Sequence, residues 1–220
     1  MERGHGFWKL FRHPRIYDAM QTVSGVDRTL RVLLQDHIRP ARGASILDLG
    51  YGTARIARRL QGVHYVGIDN NASYSEYGRR WPMPNGKLVA GDFTLACEMA
   101  GAQFDVVLAI GLLHHLTDGQ PADLFSIAAE RLRPGGSAIT IDPCLEPGQN
   151  LFPRLLMSLD RGGNVRTREH YEALARHSFK DVRSFLRHDT LFFPYTHCIL
   201  ELASPLRPAS AEMAQQTRAT

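Results

Sequence analysis

The chain has 220 residues, 44% hydrophobic and 22% charged, which suits one domain with a buried core and leaves no room for a second of ordinary size. No run reaches the roughly 20 apolar residues that span a bilayer, and residues 1–15 lack the apolar centre of a secretory signal, so the expected location is the cytoplasm. The net charge of +4 is matched by eight Lys/Arg against four Asp/Glu in the first 42 residues, and without a dense basic stretch interleaved with aromatics no nucleic-acid partner is expected.

In chain order, residues 1 to about 13, with Gly4, Gly6 and the following Pro14, read as a loosely held arm. From Ile16 to Ile38 the apolar positions Ile16, Met20, Val23, Val26, Leu30, Leu33 and Leu34 recur at helical spacing, with a break at Ser24-Gly25 that predicts two short helices or a kinked one. Arm and helices together, 1–38, form a cap ahead of the main domain at 39–202. A strand follows at 45–49, then the turn Gly50-Tyr51-Gly52 and a helix over about 53–61, whose free N–H groups would face an anion. Further strands are predicted at Val63–Asp69, Lys87–Ala90, Phe104–Ile110 and Ala138–Asp142, with a helix from Asp123 to Arg133 closed by Pro134-Gly135-Gly136. The alternation of strand and helix argues for a parallel sheet covered on both faces.

Beyond Pro143 a helical stretch at about 151–159 precedes the glycine-rich loop Asp160–Gly163, and Thr167 caps a helix to about His177. Strands near 181–187 and 195–202 lie too close together for a helical crossover, which makes them an antiparallel hairpin. From Ala203 the composition turns to Pro, Ser, Ala, Gln and Thr and predicts a disordered tail, 203–220. Cys97, Cys144 and Cys198 are odd in number and widely spaced, so they read as packed thiols rather than a disulfide or zinc framework.

Four motifs fall at strand ends: Asp48-Leu49-Gly50-Tyr51-Gly52, Asp69, Gly91-Asp92-Phe93 and Leu132-Arg133-Pro134-Gly135-Gly136. Their order and placement over residues 16–202 resemble the class I S-adenosylmethionine (SAM) dependent methyltransferases. The departures are Tyr51, where many members carry Cys, and Ala54, where many carry a third Gly. The resemblance implies an α/β, Rossmann-like doubly wound sandwich, with a seven-stranded mostly parallel sheet and a C-terminal antiparallel hairpin. It also implies SAM as cofactor and S-adenosylhomocysteine as product. The methionine carboxylate would sit against Gly50, Tyr51 and Gly52, and Asp69, with Asn70 beside it, would take the ribose hydroxyls. Asp92 would accept from the adenine amino group while Phe93 and Ile110 pack the ring faces. Asp48 would fix the turn, and Tyr17 resembles a cap tyrosine that reaches the SAM carboxylate, packing being its other role.

His114 and His115, just past the fourth strand, are the candidates for a general base or for positioning the acceptor, with loop packing as the alternative. Arg161, Arg166 and Arg168 would bind an acidic acceptor or lie in a solvated loop. Asp142-Pro143-Cys144 resembles a cytosine methyltransferase nucleophile only in outline, and Ala109-Ile110-Gly111-Leu112 stands where nucleobase N-methyltransferases carry N-P-P-Y, so a small-molecule acceptor is expected. The function implied is methyl transfer from SAM to a small molecule, to oxygen before nitrogen or carbon, with no metal required and the oligomeric state open. The alternatives are a nicotinamide-dependent oxidoreductase, disfavoured by Arg55 and the hairpin, and a non-catalytic SAM-binding scaffold.

Overall fold

The computed structural model describes residues 13–99, 101–117, 119–149 and 163–206. Five strands of the sheet run parallel: β1 (Ser45–Leu49), β2 (His64–Asp69), β3 (Gly86–Ala90), β4 (Phe104–Ile110) and β5 (Leu132–Leu145). They lie in the order β3-β2-β1-β4-β5. A two-residue β6 (Arg166–Thr167) pairs with the end of β5. The C-terminal hairpin of β7 (Phe179–Arg187) and β8 (His197–Pro205) adds to the sheet through β8, which is antiparallel to β5 from Ala138↔Leu202 to Pro143↔His197. The mostly parallel sheet with its antiparallel ending is as the sequence implied.

Helices cover both faces. On one side lie α1 (Pro14–Ser24), α2 (Val26–Val32) and the π-helical turn Leu33–Ile38 that continues it, where Leu30, Leu33 and Ile38 pack with Ile46, Ile139, Ile141 and Ile199. Following β2, α3 (Ala72–Gly78) adds Tyr74 to that core. On the opposite face, α4 (Gln120–Arg131) and α5 (Arg168–Arg176) pack Leu124, Phe125, Tyr171 and Ala175 against Leu47, Leu49, Val107 and Leu200. With both faces covered, the inner strands are apolar at nearly every position, and the buried carboxylate of Asp48 in β1 stands out against that rule.

The break between α1 and α2 is Gly25, at φ +91° with the ring of Phe192 3.0 Å from where a Cβ would stand. Thr167 caps α5 by accepting from the His170 amide, as expected. Helix α4 begins at Gln120 rather than Asp123, with Pro121 in its first turn, where the missing N–H costs nothing. The strand span of β5 takes in Pro134-Gly135-Gly136, at a break in its register with β4. The last strand runs to Pro205 rather than Leu202. The expected helix at 151–159, Arg161, the arm before His13 and the tail after Leu206 lie outside the described residues. No helix among the described residues is long and apolar enough to cross a membrane.

The helix expected over 53–61 is not formed: the segment is a series of turns with a single 3-10 turn at Ala57–Arg59. Gly50, Gly52 and Ala54 hold φ values of +75°, +56° and +58°, which no right-handed helix admits, and Leu60 is already extended ahead of Gly62. Only one i→i−4 amide bond forms, from Arg58 to the Ala54 carbonyl. An aligned helix dipole is therefore not available behind the glycine turn.

Gly67 in β2 faces the Tyr51 side chain: a Cβ there would lie 2.6 Å from ring Cδ1 and 3.1 Å from the Tyr51 Cβ. Both ring and turn backbone would have to shift. Gly67→Ala is expected to lower stability by about 1–3 kcal/mol, read as a lower midpoint in chemical denaturation. A parental midpoint would show that Tyr51 is not packed against this glycine.

Candidate active site

The glycine turn is tied to β2 by two bonds. The Gly50 amide donates to the Ile68 carbonyl at 2.7 Å, and the Gly52 amide to Asp69 Oδ2 at 2.9 Å. The other carboxylate oxygen, Asp69 Oδ1, accepts from the Asn71 amide at 2.8 Å, and Asn71 in turn caps α3. Glycine is required at position 50 twice over, by its left-handed φ and by Leu112, whose methyls lie 3.1 Å from the site of a Cβ. Around Gly52, by contrast, a Cβ would meet nothing within 4 Å. A turn facing open space, with a carboxylate beside it that keeps lone pairs to spare, fits the methionine and ribose parts of SAM. Burial raises the Asp69 carboxyl above the usual range, and its two amide donors oppose that rise.

The remaining cofactor candidates divide. Asn70 is exposed beside Asp69, and Asp92 is exposed at the carboxyl end of β3, where Oδ1 accepts from the Thr94 amide at 3.0 Å. Ile110 is half-buried at the end of β4. Phe93 is a core residue packed on the α4 side, and the Tyr51 ring is buried against Gly67. Tyr17 on α1 is half-buried and stacks on Tyr74 of α3, with ring centroids 5.7 Å apart.

Asp48 is 1% exposed and accepts from the Tyr65 hydroxyl at 2.5 Å. That bond joins β1 to β2, and the other carboxylate oxygen, Oδ1, is buried without a hydrogen-bond partner among the described residues. Burial pushes the Asp48 carboxyl from 3.8 up to about 7.

Past the end of β4, His114 is buried and His115 exposed, their rings 4.1 Å apart. The His114 ring Nδ1 lies 2.8 Å from Oδ1 of Asp142, and the same oxygen accepts the His114 amide at 3.1 Å. Asp142 sits near the carboxyl end of β5, 1% exposed, where burial raises its carboxyl and the His114 bonds oppose the rise. The two bonds to one carboxylate oxygen fix the position and orientation of the His114 imidazole.

Asp142 was not singled out from the sequence as a partner for His114. The signal was available, because Asp142 ends the strand expected at Ala138–Asp142 as Asp69 ends the one expected at Val63–Asp69. Arg166 is half-buried, and its guanidinium donates to the Leu113 carbonyl at 2.8 Å and the Leu116 carbonyl at 2.7 Å, bracing the loop that carries His114. Arg168 is exposed and pairs with Glu169 and Glu172. Cys144 and Cys198 are buried free thiols and Cys97 is exposed.

The fold, and the placing of acids and glycines at its strand ends, are similar to those of class I SAM-dependent methyltransferases. Residues 46–136 match the family described as "Methyltransferase domain". The chain is 31% identical over 112 residues to a ubiquinone biosynthesis O-methyltransferase of Thiobacillus denitrificans, covering 49% of this chain and 47% of the relative. It is 27% identical over 170 residues to the O-methyltransferase cnsE of Penicillium expansum, covering 68% and 59%. The chain thus spans roughly half the length of these curated relatives. Among solved structures, the SAM-dependent methyltransferase SibL in its apo form superposes with a TM-score of 0.69 at 20% identity, covering 91% of this chain and 60% of that one.

The raised Asp48 carboxyl makes stability depend on pH. The native state keeps a proton that the unfolded chain releases above about pH 4, so this contribution is complete below the unfolded value and is lost as pH rises through about 7. Asp48→Asn keeps an acceptor for Tyr65 and removes the titration. Relative to the parent, the variant is expected to lose up to about 4 kcal/mol less stability between about pH 4 and about pH 8. Denaturation of both proteins across that range checks it, and parallel pH profiles would refute it.

Proposed function

We propose that the protein transfers the methyl group of SAM to a hydroxyl oxygen of a small molecule. The observation that carries this reading is the buried His114–Asp142 pair, set at the carboxyl ends of β4 and β5 on the same edge of the sheet as the glycine turn and Asp69. Bound SAM would supply an electrophilic sulfonium methyl. Gly50 and Gly52 would leave room for its methionine end, Asp69 and Asn70 would hold the ribose hydroxyls, and Asp92 would accept from the adenine amino group. His114 Nε2 would take the acceptor's hydroxyl proton as the oxygen attacks in line, and Asp142 would steady the imidazolium that results. Arg166 keeps the loop in place while the proton moves.

The acceptor is a small molecule in this reading because the relatives that match are named as O-methyltransferases of small molecules or of unspecified acceptors. The same reading includes a cytoplasmic location and a part in small-molecule biosynthesis, and the buried free thiols suit a reducing compartment. Residues 1–38 would serve as a cap over the cofactor, with Tyr17 at its inner surface.

Titration with S-adenosylhomocysteine, followed by turnover with phenolic and alcoholic acceptors, tests the proposal. Binding with turnover is expected, and binding without any turnover would favour a scaffold. His114→Ala is expected to reduce turnover of hydroxyl acceptors by about 10²–10⁴-fold with SAM binding retained. Near-parental turnover in that variant would remove the general base.

A further inference from the structure

The carboxylate of Asp18, on α1, gathers four donors from the other side of the cofactor turn. Its Oδ1 accepts from Thr53 Oγ1 at 2.9 Å, Arg55 Nε at 2.7 Å and Arg58 Nη2 at 3.1 Å, and its Oδ2 from the Tyr77 hydroxyl at 3.1 Å. Three of these donors lie within six residues of Gly52, and the fourth is on α3, the helix that starts beside Asp69. Arg55 is 9% exposed and spends the rest of its fork on the same cap: Nη1 on Asp27 at 2.5 Å, Nη2 on the Asp18 carbonyl at 2.9 Å and on the Thr22 hydroxyl. Arg58 closes the ring from inside the turn, donating to the Thr53 carbonyl at 2.6 Å while its guanidinium lies 3.7 Å from the Trp81 ring centroid. Burial alone would raise the Asp18 carboxyl, but the Arg55 and Thr53 hydrogen bonds and the two guanidinium charges hold it below the usual range.

This arrangement answers a problem posed by the turn. Gly50 and Gly52 have wide backbone freedom, Ala54 is held in a left-handed conformation that costs an L-residue about 1–2 kcal/mol, and no helix follows to fix the segment. Asp69 anchors the turn on the strand side only. Resting on the SAM-binding reading above, we infer that Asp18 is a positioning residue for the cofactor. It clamps the turn through Thr53, Arg55 and Arg58, so that docking of the cap and shaping of the cofactor site are one event. Asp18 touches no reacting atom in this role. The side chain before it, Tyr17, stacks on Tyr74 of α3.

The experiment compares the full-length parent with Asp18→Asn, Asp18→Glu, Arg55→Lys and Thr29→Val. The last cuts the bond from the cap to the Thr190 carbonyl, away from the turn. Asp18→Asn and Arg55→Lys are expected to weaken S-adenosylhomocysteine by about tenfold or more and to raise the KM for SAM while leaving the acceptor KM unchanged. Asp18→Glu should recover part of the loss, and Thr29→Val should stay within about twofold of the parent. Amides 50–54 should exchange faster in ligand-free Asp18→Asn. If Asp18→Asn does not fold, Arg55→Lys, which keeps the charge and gives up the fork, carries the comparison. Parental affinity in both clamp variants, or an equal loss in Thr29→Val, overturns the positioning role alone. A parent that does not bind S-adenosylhomocysteine overturns the SAM reading and this inference with it.

Discussion

The Asp69 carboxylate holds two backbone amides, Gly52 in the turn after β1 and Asn71 at the start of α3, and much of the site's geometry follows from those two bonds. A parallel sheet delivers every strand's carboxyl end to one edge, but it does not say how the loops there are shaped. Here one side chain on β2 sets two loops at once. Because Asp69 is 9% exposed, its bonds are little diluted by water. The opposite wall is made the same way at β4 and β5, where one Asp142 oxygen accepts both the amide and the ring of His114.

The central strands were legible because burial on two faces writes an apolar run into the sequence, as in Phe104–Ile110, found with the same bounds. The C-terminal hairpin was legible from chain length alone. The segment 53–61 was not, although Ile56, Ala57 and Leu60 are spaced as a helix would space them. What decides there is the sign of φ at Ala54 and the use of Arg55, Arg58 and Arg59 in bonds to α1, α2 and the turn. Those partners are 28 or more residues away for Asp18 and Asp27, and periodicity carries no trace of them.

At the site, strand-end acids were the readable part. Asp48, Asp69 and Asp92 each announce themselves by following or interrupting apolar residues. Side chains whose role is set by distant partners were harder. Arg166 looks like a free cation until Leu113 and Leu116 are brought over it, and Phe93 looks like a ring-stacking residue until the α4 core claims it. Tyr51 reads as a ligand contact from its place in the turn, yet the absence of a Cβ at Gly67 draws its ring inward.

Strand β5 carries Asp142 and is covered along its far edge by β8, while residues 146–196 separate the two in sequence. As the chain leaves the ribosome, β5 can pair with β4 well before β8 exists, and for that interval it is an edge strand with a row of open amides and carbonyls. In the folded chain Cys198 lies opposite Asp142 across the β5–β8 pair, and the carboxylate is 1% exposed. The surroundings of the His114–Asp142 pair are thus completed by a strand that lies more than fifty residues further along the chain than the strand carrying the carboxylate.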